Sequence, residues 1–164
     1  MEIQPVEFPA IAFPALTLEH VCDFAVQIAA PIEVGMTPQG LRRVIPITGG
    51  KVTGPRMQGK ILPGGADFQR IVDGATAHLD AQYCIELDDG AKVFVHNTAL
   101  RHASADATAR LVRGEKVDPS EVYFRCQPRF ETAAPLWAWL QEHQFIGSGV
   151  RLPDAVHMRF YRVG

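Results

Sequence analysis

Short runs of alternating apolar and polar residues, broken by glycine- and proline-containing turns, recur along almost the whole of this chain. The stretch 16–28 sets Leu18, His20, Cys22, Phe24, Val26 and Ile28 on one face and Thr17, Glu19, Val21, Asp23, Ala25 and Gln27 on the other. That period of two is the mark of a strand with two unlike faces. Residues 41–48, 50–62, 68–73, 76–87, 92–97, 122–131, 144–148 and 155–163 read in the same way, and Gly49-Gly50, Pro63-Gly64-Gly65, Asp73-Gly74 and Asp88-Asp89-Gly90 punctuate them. The Asp89-Gly90 pair, between Ile85-Glu86-Leu87 and Val93-Phe94-Val95, is the strongest hairpin signal. Helical signals are confined to 104–113, with Ser104 as cap and Gly114 beyond the end, and to 135–143, with Pro135 in the first turn. About nine strands and two short helices predict a mainly β fold, an antiparallel sheet that closes to remove its edges. A single-domain β-barrel is the first expectation and a two-sheet sandwich the second.

The 164 residues, 47% of them hydrophobic, suit one domain spanning 16–164. The proline-rich start (Pro5, Pro9, Pro14) predicts an extended arm over 1–15, whose Val6, Phe8, Ile11 and Phe13 would lie across the body or across a second copy in a homodimer. Sixteen basic and eighteen acidic side chains give a net charge of -2, so no electrostatic footprint for nucleic acid or an anionic membrane is expected. No apolar run is long enough for a spanning helix and no signal peptide is read, which makes a cytoplasmic location the expectation.

Several chemical motifs fail on inspection. Gly54-Pro55-Arg56-Met57-Gln58-Gly59-Lys60 fits the first part of a phosphate-binding loop, but Ile61 stands where Ser or Thr must hold magnesium, and Pro63-Gly64-Gly65 follows where a helix must begin. Spaced glycines there suit the bulges of a closing barrel better. Histidines 20, 78, 96, 102, 143 and 157 lack metal-ligand spacing, and neither a metal nor a cofactor is expected. His96 and His102 are read as flanking a loop. Cys22, Cys84 and Cys126 are read as buried free thiols, and Gly147-Ser148-Gly149 lacks the frame of a hydrolase nucleophile. What remains are polar residues in or beside strands: Asp67, Tyr83, Glu86, Asn97, Arg125, Arg129 and Glu131. Arg125, Gln127, Arg129 and Glu131 share one face of their strand, opposite Phe124, Cys126, Pro128 and Phe130. Alternation alone leaves open whether that polar face lines a lumen or meets solvent.

Gly49-Gly50-Lys51-Val52-Thr53-Gly54-Pro55, Gly59-Lys60-Ile61-Leu62-Pro63-Gly64-Gly65-Ala66-Asp67-Phe68-Gln69, Leu79-Asp80-Ala81-Gln82-Tyr83, Asp88-Asp89-Gly90, Tyr123-Phe124-Arg125 and Phe130-Glu131-Thr132 occur in an order that resembles the bacterial domain-of-unknown-function family 3237, also called uncharacterised protein family 0311. The resemblance spans about 16–163 and implies a single antiparallel β-barrel of lipocalin-like or allene-oxide-cyclase-like shape. It implies further that Asp67, Tyr83, Arg125, Glu131 and Trp139 line the barrel mouth or lumen. Where the family shows Trp-Leu-Asn, this chain carries Trp139-Leu140-Gln141.

These readings together predict a small-molecule-binding barrel. The expected activity is cofactor-independent acid/base chemistry, as isomerase, cyclase or lyase, on a carbonyl-bearing, aromatic or polyketide-like compound. Asp67 or Glu131 would be the base and Tyr83 the donor to a developing oxyanion. Arg125 or Arg129 would anchor a carboxylate or carbonyl, with Asn97 among the substrate contacts, and Trp137 and Trp139 would stack on the substrate or close one barrel end. The alternatives are a non-catalytic carrier and a homodimer whose barrel is filled by its own side chains.

Overall fold

A computed structural model describes residues 9–164. Its strands are β1 (Leu18–Ile28), β2 (Ile32–Thr37), β3 (Gly40–Thr53), β4 (Gly59–Ile61), β5 (Ala66–Ile71), β6 (Thr76–Leu87), β7 (Lys92–Ala103), β8 (Val122–Glu131), β9 (Phe145–Arg151) and β10 (Ala155–Val163). One α-helix, α1 (Ala105–Val112), and 3-10 turns at Pro119–Glu121 and Pro135–Gln141 complete the described chain. All strand pairs are antiparallel. The first half of β3 pairs with β2 and β5, its second half with β1 and β4. So β1 with β2, and β4 with β5, each fill one bent strand position, and the β1–β3 pairing closes an eight-stranded barrel.

The bend in β3 is made at Gly49 and Gly50, which have φ of 150° and 143°. A Cβ on Gly50 would lie 2.1 Å from the carbonyl oxygen of Ala25 on β1. Gly49-Gly50 is therefore no turn between two strands, as the punctuation suggested, but the coiled centre of one strand. The expected strand over 50–62 is accordingly broken, because residues 54–58 leave the sheet between β3 and β4. β7 also differs: it runs unbroken to Ala103, so the expected loop after His96 is strand.

The Asp89-Gly90 signal is realised as a three-residue hairpin loop, with Gly90 at φ 87°, its N–H on the Leu87 carbonyl (2.8 Å) and Leu87 N–H on the Ala91 carbonyl (2.9 Å). Trp137 Nε1 donates to Asp89 at 2.8 Å and tethers the Pro135–Gln141 turn over this end of the barrel. Gln141 exchanges hydrogen bonds with the backbone of Thr132, both at 3.3 Å, and Leu140 is fully buried beneath. At this end the lumen is solid. Phe24 and Phe160 meet edge to face at 4.9 Å, Phe130 and Phe145 at 5.1 Å, and Met57, Ile85 and Leu87 fill the rest.

α1 covers the opposite end. Ser104 Oγ accepts from the Ala107 N–H at 3.0 Å, Gly114 follows with φ 78°, and Ala107 and Leu111 pack with Ala103 and Val117. Residues 9–17 lie outside any strand or helix, with Phe13 and Leu16 exposed; Val6 and Phe8 fall outside the described residues. Among the described residues no helix is long and apolar enough to cross a membrane. Gly50→Ala is expected to lower stability by about 2 kcal/mol or more, since both the positive φ and the contact with Ala25 resist a side chain. Urea denaturation checks this; an unchanged midpoint would mean that the β1–β3 contact is not tight.

Candidate functional site

Parity along each strand decides which side chains enter the lumen. On β8 the buried set is Phe124, Cys126, Pro128 and Phe130. Arg125, Gln127, Arg129 and Glu131 are therefore exposed on the outer wall, where three charges keep their hydration. This corrects the expectation for Glu131 as base and for Arg125 and Arg129 as anchors: none reaches the lumen. Arg125 lies over the Tyr123 ring outside the barrel, 5.0 Å from its centroid. Glu86 is likewise outside, paired with Lys60 (2.9 Å) and Lys92. Trp139 is partly buried in the turn that closes the solid end, against Phe145 (6.0 Å) with the Arg56 guanidinium 4.8 Å over its ring; it plugs the barrel and does not line the cavity. Cys22 and Cys126 are buried but Cys84 is exposed, again by parity on β6. Burial holds the Cys126 thiol up at about 12, so it is no ready nucleophile.

The other half of the lumen holds a small cavity. A cavity of about 40 Å³ lies between Val26 and Ile28 on β1, Ile45 and Ile47 on β3, Leu79 on β6, Phe124 on β8 and Met158 on β10. Four polar side chains share this apolar wall: Asp67 and Gln69 on β5, Tyr83 on β6 and Asn97 on β7. Asp67, Tyr83 and Asn97 were singled out from the sequence; Gln69 was not. Gln69, Tyr83 and Asn97 retain 1, 2 and 3% of their surface. Among the described residues, Gln69 Oε1, the Tyr83 hydroxyl and Asn97 Oδ1 have no hydrogen-bond partner. An unpaired buried polar atom is costly, and here three of them face one small cavity.

Backbone geometry holds these groups. Gly65, just before β5, packs so closely that a Cβ there would lie 2.4 Å from Cβ of Tyr83, and the Tyr83 ring meets Phe24 at 6.4 Å. Asp67 accepts from Gln69 Nε2 and from the Asp80 N–H, both at 3.0 Å. Asn97 Nδ2 meets sulfur partners, the Met158 thioether at 3.1 Å and the Cys126 thiol, which are weak acceptors.

Electrostatics separate the roles. Desolvation raises the Asp67 carboxyl above its ordinary 3.8, against the pull of its two hydrogen bonds and the charge of Arg101. Burial also lifts the Tyr83 phenol well above 10.0, with smaller contributions from Cys126, Cys22 and Asp67. The phenol therefore keeps its proton and can donate, and the Asp67 carboxyl holds a proton more tightly than an ordinary one. A base and an O–H donor lining one largely apolar cavity can move a proton and hold the charge that results. Among the described residues, no three His, Cys, Asp or Glu side chains are grouped to hold a metal ion.

The family described as "Protein of unknown function (DUF3237)" matches residues 16–163. A protein of family UPF0311 from Rhodopseudomonas palustris is 42% identical over 150 residues, 92% of this chain and 98% of the relative. A crystal structure of a conserved protein from the same species has a TM-score of 0.86 at 40% identity, covering 93% of this chain and 100% of the other. A β-barrel-like protein from Acinetobacter baumannii has a TM-score of 0.82 at 37% identity, covering 93% and 99%. A structure described as an enzyme from Penicillium herquei, 16% identical with a TM-score of 0.69 over 93% and 98%, shares the fold.

Because the folded state raises the Asp67 pKa, the protonated form favours folding. That contribution is full below 3.8 and is lost as pH rises through the folded value. Wild-type stability should therefore fall across a window opening near 3.8 and extending above it. Asp67→Asn, whose amide can donate to Gln69 Oε1, should escape this loss and have the higher urea midpoint at pH 8. An equal loss of stability in the variant at low and high pH would contradict it.

Proposed function

Since the chain belongs to the DUF3237 family of β-barrels, and its lumen keeps a cavity lined by Asp67, Gln69, Tyr83 and Asn97, we propose that it binds a small carbonyl-bearing molecule and acts on it by cofactor-independent acid/base catalysis, as an isomerase, cyclase or lyase. The observation that carries this reading is the convergence of three unpartnered buried polar atoms on one apolar cavity, a composition typical of ligand sites. The Penicillium herquei protein adds that a barrel of this shape can house an enzyme.

In this reading Asp67 removes a proton from the carbon next to the carbonyl. The C–H electron pair moves into an enolate, whose oxygen accepts from the Tyr83 hydroxyl, and the Asn97 amide completes the polar contacts. Asp67 then returns its proton at the same or another atom, so that no external acid, oxidant or cofactor is consumed. Raised basicity suits Asp67 to this task, and a neutral phenol stabilises the enolate without being consumed. A carrier would use the same donors without the proton transfer.

Deuterium exchange tests the reading without knowledge of the natural substrate. In D₂O, wild-type protein should accelerate exchange at the α-carbons of cyclopentanone and acetophenone, followed by proton NMR. Asp67→Asn should abolish the acceleration, and Tyr83→Phe should lower it by about 10²-fold while circular dichroism is unchanged. Ketone binding without exchange would establish the carrier instead. Exchange that survives Asp67→Asn would remove that residue from the mechanism.

A further inference from the structure

Three arginines, Arg43, Arg101 and Arg151, are buried in the lumen with 3, 3 and 9% of their surface left. Their place follows from register. Arg43 precedes Ile45 by two residues on β3, Arg101 follows Ala99 by two on β7, and Arg151 of β9 stands opposite Val156 of β10. Ile45, Ala99 and Val156 all line the cavity, so the three guanidiniums form the next layer, at the end covered by α1.

Their partners do not use up their charge. Arg43 donates to Glu33 (2.9 Å), itself half exposed, and to the Val112 carbonyl at the end of α1 (3.1 Å). Arg151 donates to the Ala155 carbonyl at 3.4 Å. Among the described residues the Arg101 side chain has no hydrogen bond and no carboxylate within ion-pair distance; Asp67, the opposite charge that acts on it, does so through space. Burial, with Arg151 and Arg43 adding like charge, pulls the Arg101 pKa down to about 10. A buried guanidinium with a fork of free N–H donors is an unfinished interaction. It stands beside a cavity whose wall is aliphatic and aromatic.

We propose that the Arg43–Arg101–Arg151 layer is the anion-binding end of the cavity, and that the ligand is an organic monocarboxylate with a small ring-sized apolar body. This rests on the reading of the cavity as a ligand site. The carboxylate takes the free donors of Arg101, whose planar fork matches its geometry, and the body lies against Leu79, Phe124 and Met158. A single, delocalised negative charge fits better than a phosphate dianion, because Asp67 faces the same layer and repels a doubly charged group.

Titration calorimetry with three probes tests the proposal. Sodium benzoate carries ring and carboxylate, benzyl alcohol keeps the ring without the charge, and sodium phosphate supplies an anion without the ring. Wild-type protein should bind benzoate about tenfold or more tightly than benzyl alcohol, and phosphate should not displace benzoate. Arg101→Met should bind both ring compounds alike; if that variant does not fold, the wild-type comparison still decides. Equal affinity for benzoate and benzyl alcohol, or a preference retained in Arg101→Met, would overturn the carboxylate proposal and leave the ligand cavity intact. Displacement of benzoate by phosphate at equal concentration would overturn it in favour of an inorganic anion site. Binding of neither ring compound would overturn the proposal together with the cavity reading beneath it.

Discussion

Everything in this barrel depends on the contact between β1 and β3. β3 is long enough to serve four neighbours, two along each half, and it can do so only because Gly49 and Gly50 coil its centre where β1 crosses at backbone distance. Without that coil the sheet stays open and its edge strands need another partner. With it, the strands enclose a lumen whose two ends see different surroundings. The 3-10 turn at Pro135–Gln141 closes one end, and α1 closes the other.

Those two ends divide the labour. Toward the tryptophans, aromatic rings interlock and fill the lumen. Toward α1, small residues such as Ala81 and Ala99 leave a gap, and polar side chains are buried with incomplete partners. A protein optimised only for stability would fill that gap with apolar groups. The cost of keeping Gln69, Tyr83, Asn97 and Arg101 under-satisfied is explained if a ligand supplies the missing partners. The solid-cored barrel considered from sequence thus describes one half of the lumen, while the other half holds a cavity.

Much of this was legible in the residues. The alternation and turns led to the closed antiparallel barrel, Asp89-Gly90 marks a hairpin, and Asp67, Tyr83 and Asn97 do meet at one cavity. The misses share a cause, which is reading residue type before parity. Arg125, Arg129 and Glu131 are chemically attractive, yet they stand opposite Phe124, Cys126 and Phe130 and are forced outward. Arg101 shares parity with Val93, Val95 and Asn97, Arg43 with Ile45 and Ile47, and Gln69 with Ile71, which marks each of them as inward. Phe68 misleads in the opposite sense, since it is 41% exposed while its neighbour Gln69 is buried. The continuous β3 was hidden because Gly-Gly signals a turn equally well, and β2 because its Ile32, Val34 and Met36 are exposed and bring no core signal.

Two methionines allow the central claim, that one half of the lumen is a ligand site and the other is packed core, to be measured directly. Met158 lines the cavity, and Met57 is buried in the solid half. With both methyl groups labelled with carbon-13, NMR titration with cyclopentanone should shift the Met158 resonance saturably and leave Met57 in place. Two resonances that both stay fixed, or that drift together without saturation, would contradict the account.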